Sequence, residues 1–164
     1  MPTWVPGQIL TASDVNTWFA PLAVVKPTSQ TVSNSSTFIN DTDLVLPVTA
    51  NALYTFSCYL DFTSVGGVDI KSMWTVPSGS VLFYQALHNE GGGTGLNNSQ
   101  LIYSDSNSLF CAGNGATPVG ATLTGSLDTA GTAGNLQLRW AQNTATVSNT
   151  IMRAQSYVSL QRVL

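Results

Sequence analysis

Charged side chains are scarce in this sequence. Asp, Glu, Lys and Arg make up 8% of the 164 residues, with five basic residues, eight acidic ones and a formal net charge of −3. A typical globular protein has about 25% charged residues. Proteins that bind nucleic acids need clustered Lys and Arg to neutralise phosphates, and the basic residues here are scattered. The composition therefore argues against a nucleic-acid partner, and the low charge also argues against disorder.

Long apolar runs are also missing. No stretch approaches the ~20 apolar residues of a membrane span, and the N-terminal run MPTWVPGQIL has neither a basic region nor a continuous apolar segment. We therefore expect no membrane partner and no export signal. A disulfide between Cys58 and Cys111 is geometrically possible but cannot be predicted from sequence. The reducing compartment that we expect for this chain disfavours it.

The sequence has a single histidine, His88, with Glu90 two residues later. Together they could form half of a metal site or a general base. No second histidine and no Gly-x-Ser-x-Gly elbow accompanies them, so we predict an ordinary exposed histidine in a long loop from His88 to Asn98. We expect no catalytic residue, no cofactor and no metal, and hence a protein that is not an enzyme.

Two carboxylates lie close together at Asp41 and Asp43, in the run NDTD. Calcium prefers such oxygen ligands, but the spacing of an EF-hand is absent. Asn and Asp also bond their own backbone in tight turns. Turn chemistry is the interpretation that we prefer, with a calcium site as the alternative.

From about Thr31 onward the apolar residues alternate with polar ones, which is typical of β-strands. Val, Thr, Ser, Gly and Asn dominate, and Gly-rich or Pro-rich turns separate the runs. This pattern predicts an all-β fold, an antiparallel β-sandwich or jelly-roll-like domain of eight to ten strands over residues 27–164. The residues expected in its core are Tyr54, Phe56, Leu60, Leu138 and Trp140.

Residues 1–26 differ from the rest and form a predicted anchoring arm with a short helix. Thr11 to Asp14 is a helix-start signature, and Pro21 ends the helical pattern. The arm is too short to build its own core, so its apolar residues must pack either on the rest of their own domain or on a partner. We predict that it binds a partner through Trp4, Pro6, Ile9, Leu10, Val15 and Trp18.

Three stretches carry a resemblance to a known family. They are the run from Trp4 to Asn16 (WVPGQILTASDVN), the runs KPTSQTV from Lys26 and NDTDLVLPVTANALYTF from Asn40, and the closing runs LQLRWAQNT from Leu136 and SYVSL from Ser156. Together they resemble small virion structural proteins of tailed bacteriophages of actinobacteria. The resemblance covers roughly residues 1–60 and 135–164, and the middle, about 65–133, matches nothing that we can name.

The resemblance implies a non-enzymatic surface protein of the virion, assembled in the host cytoplasm, as a minor tail or fibre-like component or as a capsid decoration protein. Its partners would be other virion proteins and copies of itself. The low surface charge favours an oligomer, and the resemblance to projecting virion proteins implies a homotrimer. An alternative is a carbohydrate-binding module that recognises a cell-surface glycan on the host. That alternative needs Trp74, Tyr84 or Tyr103 to be exposed. A hydrolase such as a depolymerase is a third hypothesis, for which no acid cluster is visible.

Overall fold

The computed structural model describes residues 5–89, 96–103 and 108–163, and it describes the side chains of all of these except 17–19, 89 and 96–103. One helix and twelve strands occupy this part of the chain. They are α1 (Ala12–Phe19), β1 (Leu22–Val25), β2 (Gln30–Val32), β3 (Ile39–Val48), β4 (Ala52–Ser64), β5 (Ile70–Thr75), β6 (Val81–Asn89), β7 (Leu96–Tyr103), β8 (Leu109–Cys111), β9 (Gly115–Thr129), β10 (Gly134–Gln142), β11 (Thr150–Met152) and β12 (Tyr157–Arg162).

Strands β3 to β10 pair in a nested order: β3 with β10, β4 with β9, β5 with β8 and β6 with β7, all antiparallel. This is the pairing of one long hairpin rolled into two sheets, which is a jelly roll. The smaller sheet has the order β3-β10-β5-β8, and the larger has the order β1-β12-β4-β9-β6-β7 with β2 and β11 attached. The prediction of an all-β sandwich is confirmed, although it undercounted the strands.

The core lies between the two sheets. Every residue that the alternation placed there is at most 2% exposed, namely Tyr54, Phe56, Leu60, Leu138 and Trp140. Phe56 meets Trp74 edge-on with ring centroids 5.2 Å apart, and it also contacts the ring of Tyr84 at 6.0 Å. The contact with Trp74 joins the two sheets, because β4 belongs to the larger sheet and β5 to the smaller one.

Both ends of the segment from His88 to Asn98, which the sequence predicts to be a loop, are strand instead. β6 continues to Asn89 and β7 begins at Leu96, so both ends of the segment are paired strand. The prediction of an exposed loop histidine is wrong, because His88 pairs with Ala121 of β9 and is 6% exposed. Glu90 lies outside the described residues.

Residues 22–25, which the sequence analysis assigned to the arm, form β1 and pair with β12 at the edge of the larger sheet. The segment that precedes the sandwich in the described structure is therefore residues 5–21, and we call it the arm below. The boundary between residues 26 and 27 stays a prediction. In the described part of the chain, no helix has the length and apolar character needed to cross a membrane.

Candidate functional site

The helix of the arm begins at a complete capping box. The Asp14 backbone N–H donates to the Thr11 hydroxyl at 3.1 Å, and the Asp14 carboxylate accepts from the Thr11 backbone N–H at 2.9 Å and from its hydroxyl at 2.6 Å. These bonds satisfy N–H groups that a helix start otherwise leaves unpaired. They lower the pKa of Asp14, with the Thr11 hydroxyl as the larger cause and the Thr11 backbone as the second. The helix start predicted from Thr11 and Asp14 is confirmed.

The apolar residues of the arm are exposed to solvent. Ile9 is 85% exposed, Val5 62%, Leu10 50% and Val15 42%. Pro6 is exposed as well. Trp4 and the side chain of Trp18 lie outside the described residues. Four of the six predicted anchor residues are thus on one exposed segment, and their binding role stays a prediction.

A cleft of about 330 Å³ lies where the end of α1 meets the sandwich. Its lining includes Asn16 and Ala20 on the arm side, and Leu22, Tyr54 and Arg162 on the sandwich side. Tyr54 is otherwise buried, and its hydroxyl accepts from the Thr49 backbone N–H at 3.1 Å. Among the residues that the structure describes, the arm contacts the sandwich near its own C-terminal end.

The outer face of the larger sheet carries a second exposed apolar feature, which the sequence analysis missed. Val25, Tyr157, Tyr59, Thr122 and Leu87 stand side by side on β1, β12, β4, β9 and β6. The four apolar members are 57%, 38%, 37% and 46% exposed in that order. We call this set the apolar row. The row next to it is uncharged and consists of Ala23, Ser159, Ser57, Thr124 and Gln85.

The two tyrosines of the apolar row pack against each other, and the Tyr59 ring also packs over Gly120. The rings of Tyr59 and Tyr157 lie 6.3 Å apart at an interplanar angle of 31°. A Cβ atom on Gly120 would come within 2.5 Å of the Tyr59 hydroxyl oxygen, so this ring fills the space that a side chain would need. Aromatic cross-strand pairs stabilise a sheet, but this pair also leaves more than a third of each residue exposed.

A buried ionic cluster connects the two sheets at their edge. Lys26 follows β1, and its Nζ lies 2.9 Å from Oδ1 of Asp41 and 2.8 Å from Oδ2 of Asp43, both on β3. Asp41 also accepts from Nε1 of Trp140 at 3.1 Å and from the backbone N–H groups of Asp43 and Leu44, both at 3.0 Å. The bond to Lys26 is the main reason why the pKa of Asp43 lies below its ordinary value.

The NDTD run is a bulge within β3 and not a connecting turn. On β10, Gln137 pairs with Val45 and Arg139 pairs with Asn40, so the residues between Asn40 and Val45 have no ladder partners of their own. The local Asp-to-backbone bonds of a turn are present, but they stabilise a bulge. The Lys26 ammonium group is ion-paired with Asp41 and Asp43, the two carboxylates that a calcium ion would need as ligands. Within the described residues, no group of three or more His, Cys, Asp and Glu side chains could hold a metal ion.

Both cysteines are part of the hydrophobic core. Both thiols are free and buried. Burial, and then the charge of Asp41, raises the pKa of Cys58 well above its ordinary value, and burial, followed by Asp69, raises that of Cys111 to about 12. A thiol acts as a nucleophile only when it is ionised and accessible, so neither cysteine is suited to that role.

Two of the three residues proposed for stacking on sugars are in the core. Trp74 and Tyr84 are each 1% exposed. The alternation of β5 and β6 points both rings toward the opposite sheet, next to Phe56. Trp74 and Tyr84 therefore do not meet the condition of exposure that the carbohydrate-binding alternative sets, and Tyr103 lies outside the residues whose side chains are described.

Signals for the missed residues were present in the sequence, but they were not decisive. Tyr59 occupies the outward phase of the β4 alternation, which predicts exposure without indicating a neighbour. Its pairing with Tyr157 depends on the register between β4 and β12, which are about a hundred positions apart. Lys26 stands in the KPTSQTV run as an ordinary cation, and no sequence pattern indicates that its side chain is buried.

Comparisons with known proteins give the following result. No family model matches the chain, and no curated protein matches it significantly. Among solved structures, the chain is similar to the tripod (BppUct-A-L) from the baseplate of bacteriophage Tuc2009, with 14% identity, a TM-score of 0.33, and coverage of 99% of this chain and 74% of that one. It is also similar to a chain of infectious bursal disease virus, Gt strain, with 12% identity, a TM-score of 0.24, and coverage of 100% and 42%.

Both structures come from viruses, and the similarity to them is weak. The Gx strain of infectious bursal disease virus gives a further match at 10% identity and a TM-score of 0.21, over 85% of this chain and 38% of that one. TM-scores of this size do not support an inference about function.

Proposed function

We propose that this chain is a non-enzymatic structural protein of a bacteriophage virion. Its arm binds another virion protein, and its jelly-roll sandwich projects from the particle as a tail or fibre-like component or as a capsid decoration protein. The observation that carries the proposal is the exposed apolar arm in front of a sandwich that already has a complete core. The resemblance of the arm and of the closing strands to phage virion proteins supports it, and jelly rolls are common among viral structural proteins.

The partner of the arm is expected to offer an apolar groove. The exposed side chains of Val5, Ile9 and Leu10 carry no charge, and burying a residue of this size contributes about 1.5–3 kcal/mol. Asp14 acts indirectly, because the capping box orients the helix that follows. Trp4 and Trp18 would add large aromatic anchors to the same segment.

A second element of the proposal is self-association through the apolar row. The row and its neighbouring row contain no charged side chain, and Asp61, the next outward residue of β4, is paired with Arg153. The rows of three copies can therefore meet around a three-fold axis without like-charge repulsion. Five adjacent strands are about 20 Å wide, and the whole outer face, which also carries Asp61 and Asp128 beyond the two rows, has an area approaching the roughly 800 Å² that each partner contributes to a standard interface. The occupant that we propose is another copy of this chain, in a homotrimer.

The arm is tested by deletion of residues 1–20, which leaves β1 intact. The truncated protein should unfold at nearly the same temperature as the full chain and should fail to enter particles assembled with the other virion proteins. A narrower variant, Ile9→Ser with Leu10→Ser, should give the same loss. The matched control is Val147→Ser, which alters a residue of the sandwich that is 83% exposed and should incorporate normally.

Two results would contradict the anchor. If the truncated protein is unfolded, the arm belongs to the core of its own domain. If it folds and still enters particles, the attachment surface lies on the sandwich. The copy number per purified particle then distinguishes the two locations, because hundreds of copies indicate the capsid and a few to a few dozen indicate the tail.

The apolar row is tested separately by light scattering on the isolated protein. We expect a mass near three chains, and a monomer for the double variant Tyr59→Ser and Tyr157→Ser. Phe110→Ser is the control, because Phe110 is 54% exposed but lies on β8 of the other sheet. A monomeric starting protein at tens of micromolar, or an unchanged assembly in the tyrosine variant, would contradict this surface.

A further inference from the structure

The Lys26 side chain crosses from one sheet of the sandwich to the other. Lys26 directly follows β1, the edge strand of the larger sheet, and its carboxylate partners are on β3, the edge strand of the smaller one. Its backbone is held in place, because its N–H donates to the Ser156 carbonyl and its carbonyl accepts from the Gln155 N–H, both at 2.8 Å. The fixed backbone therefore positions the Lys26 amine next to Asp41 and Asp43 of β3.

At that point the amine meets one carboxyl group that is as deeply buried as itself and a second one beside it. The side chains of Lys26 and Asp41 are both 0% exposed, with Nζ 2.9 Å from Oδ1, while Asp43 is 22% exposed and its Oδ2 lies 2.8 Å from the same nitrogen. Burying two charges together carries a desolvation cost of several kcal/mol per ion. Condensation of the amine with the carboxyl group would remove both charges and leave a neutral amide.

We propose that Lys26 and Asp41 form an intramolecular isopeptide bond, with Asp43 as the group that carries the proton. Asp43 takes one proton from the ammonium group, and the free amine attacks Cγ of Asp41. The C–N bond forms and one C–O bond of Asp41 breaks. The departing oxygen leaves as water with two protons that began on the ammonium group, one of them returned by Asp43. The nitrogen keeps its third proton as the amide N–H, so no other reactant is needed.

The surroundings of Asp41 suit this step. The backbone N–H groups of Asp43 and Leu44 both donate to Oδ1 at 3.0 Å, where negative charge grows when the amine attacks. Donors fixed in this way stabilise a tetrahedral intermediate. Holding the two groups in contact, in a site that excludes water from both, gives the reaction the high effective concentration of an intramolecular process.

Such a bond would join the two sheets at the base of the arm. A force on the arm reaches the sandwich through β1, which has four residues and pairs with β12 alone in the described structure. With the bond in place, a pull on β1 is passed directly to β3. The bond itself requires no virion partner, so its test is independent of the proposed function.

The test is the intact mass of the purified protein after unfolding. The bonded chain weighs one water molecule less than its sequence requires, and peptide mapping should recover a branched peptide that joins residue 26 to residue 41. Lys26→Arg keeps the positive charge but should restore the full mass, and so should Asp43→Asn. Lys71→Arg, which changes the only other lysine of the sequence, is the matched control and should keep the loss of water.

Each remaining outcome counts against the proposal. A full, unmodified mass of the starting protein would show that Lys26 and Asp41 remain an ion pair, and this measurement does not depend on any variant folding. A loss of water that persists in Lys26→Arg would place the modification elsewhere in the chain. A loss that persists in Asp43→Asn would overturn the role of Asp43.

Discussion

The arm and the sandwich use the same kinds of apolar residue with opposite results. Ile9 and Leu10 of the arm are 85% and 50% exposed, whereas Leu44 and Leu138 of the sandwich are completely buried. A strand within the sandwich has a partner strand beside it and a second sheet facing it. Residues 5–21 of the arm have no partner strand and no facing sheet in the described structure. The helix has eight residues, which is too short to bury its own apolar residues. Apolar content therefore becomes core in one region and available binding surface in the other.

The two regions also differ in the range of their hydrogen bonds. Thr11 and Asp14 are three positions apart, so the cap depends only on local chain geometry. Trp140 and Asp41 are 99 positions apart and meet only when the whole sandwich has formed. Disruption of the arm should therefore remain local, while disruption of the sandwich should affect the entire fold.

The largest expected difference between the regions comes from truncating a core ring. Phe56→Ala should lower the free energy of unfolding by about 3–5 kcal/mol, because it removes contacts with Trp74 and Tyr84 and leaves a cavity between the sheets. Denaturant unfolding followed by tryptophan fluorescence measures the change. Ile9→Ala is the control in the arm and should change the unfolding free energy by less than about 0.5 kcal/mol. A comparable cost for both variants would mean that the arm is packed on the sandwich in solution.

A smaller effect is expected from a methyl group added within the larger sheet. A Cβ atom on Gly125 would approach the Phe83 carbonyl oxygen within 1.9 Å, so the backbones of β6 and β9 would have to separate. We expect Gly125→Ala to cost about 1–3 kcal/mol. Gly66→Ala is the matched control, because nothing lies within 4 Å of the added atom. Equal thermal unfolding midpoints for the two variants would show that this strand contact is looser than described.

The capping box should have a purely local effect. Thr11→Ala removes the hydroxyl that bonds Asp14 and should destabilise the helix by about 1 kcal/mol. Amide exchange in residues 12–19 should become faster, while the unfolding midpoint of the sandwich stays the same. Ser13→Ala, which changes a neighbouring exposed residue, should leave exchange nearly unchanged. A lower midpoint for Thr11→Ala would mean that the arm and the sandwich unfold together.

The smallest effect is the response of the same cap to acid. The hydrogen bonds from Thr11 hold the pKa of Asp14 below its ordinary value of 3.8. The ionised carboxylate is thus the form that the helix start stabilises, so its contribution is complete above pH 3.8 and is lost as the pH falls through the lowered pKa. The backbone amide shift of Thr11 should report this titration in nuclear magnetic resonance spectra. In Asp14→Asn the shift should not titrate, and a titration that persists there would assign it to another group.

Several features were predictable because their cause is local. Alternation along β4 identified the buried face from Tyr54 to Phe62, and Thr11 with Asp14 identified the helix start. His88 was misplaced for a reason that is not local: β6 extends past Leu87 because β7 and β9 pair with it on both sides. The Gly-rich run after it resembled a loop, but the pairing of the strands decides where a strand ends.

The sequence alone determined that the chain is an all-β sandwich with an apolar arm and a capped helix, because side-chain alternation and capping act between residues a few positions apart. Only the tertiary structure decided which polar residues are buried together. The Lys26 ammonium group, the Asp41 carboxylate and the Trp140 indole come from three separate segments. Lys26 and Asp41 meet because the edges of the two sheets are adjacent there, and Trp140 joins them because β10 pairs with β3. The register between strands likewise decided that Tyr59 and Tyr157 share one exposed row. The alternation within a strand decides which face is buried, but a shift by two residues keeps the same face buried. No short turn connects β4 to β12, so the packing of the whole sheet selects the register between them.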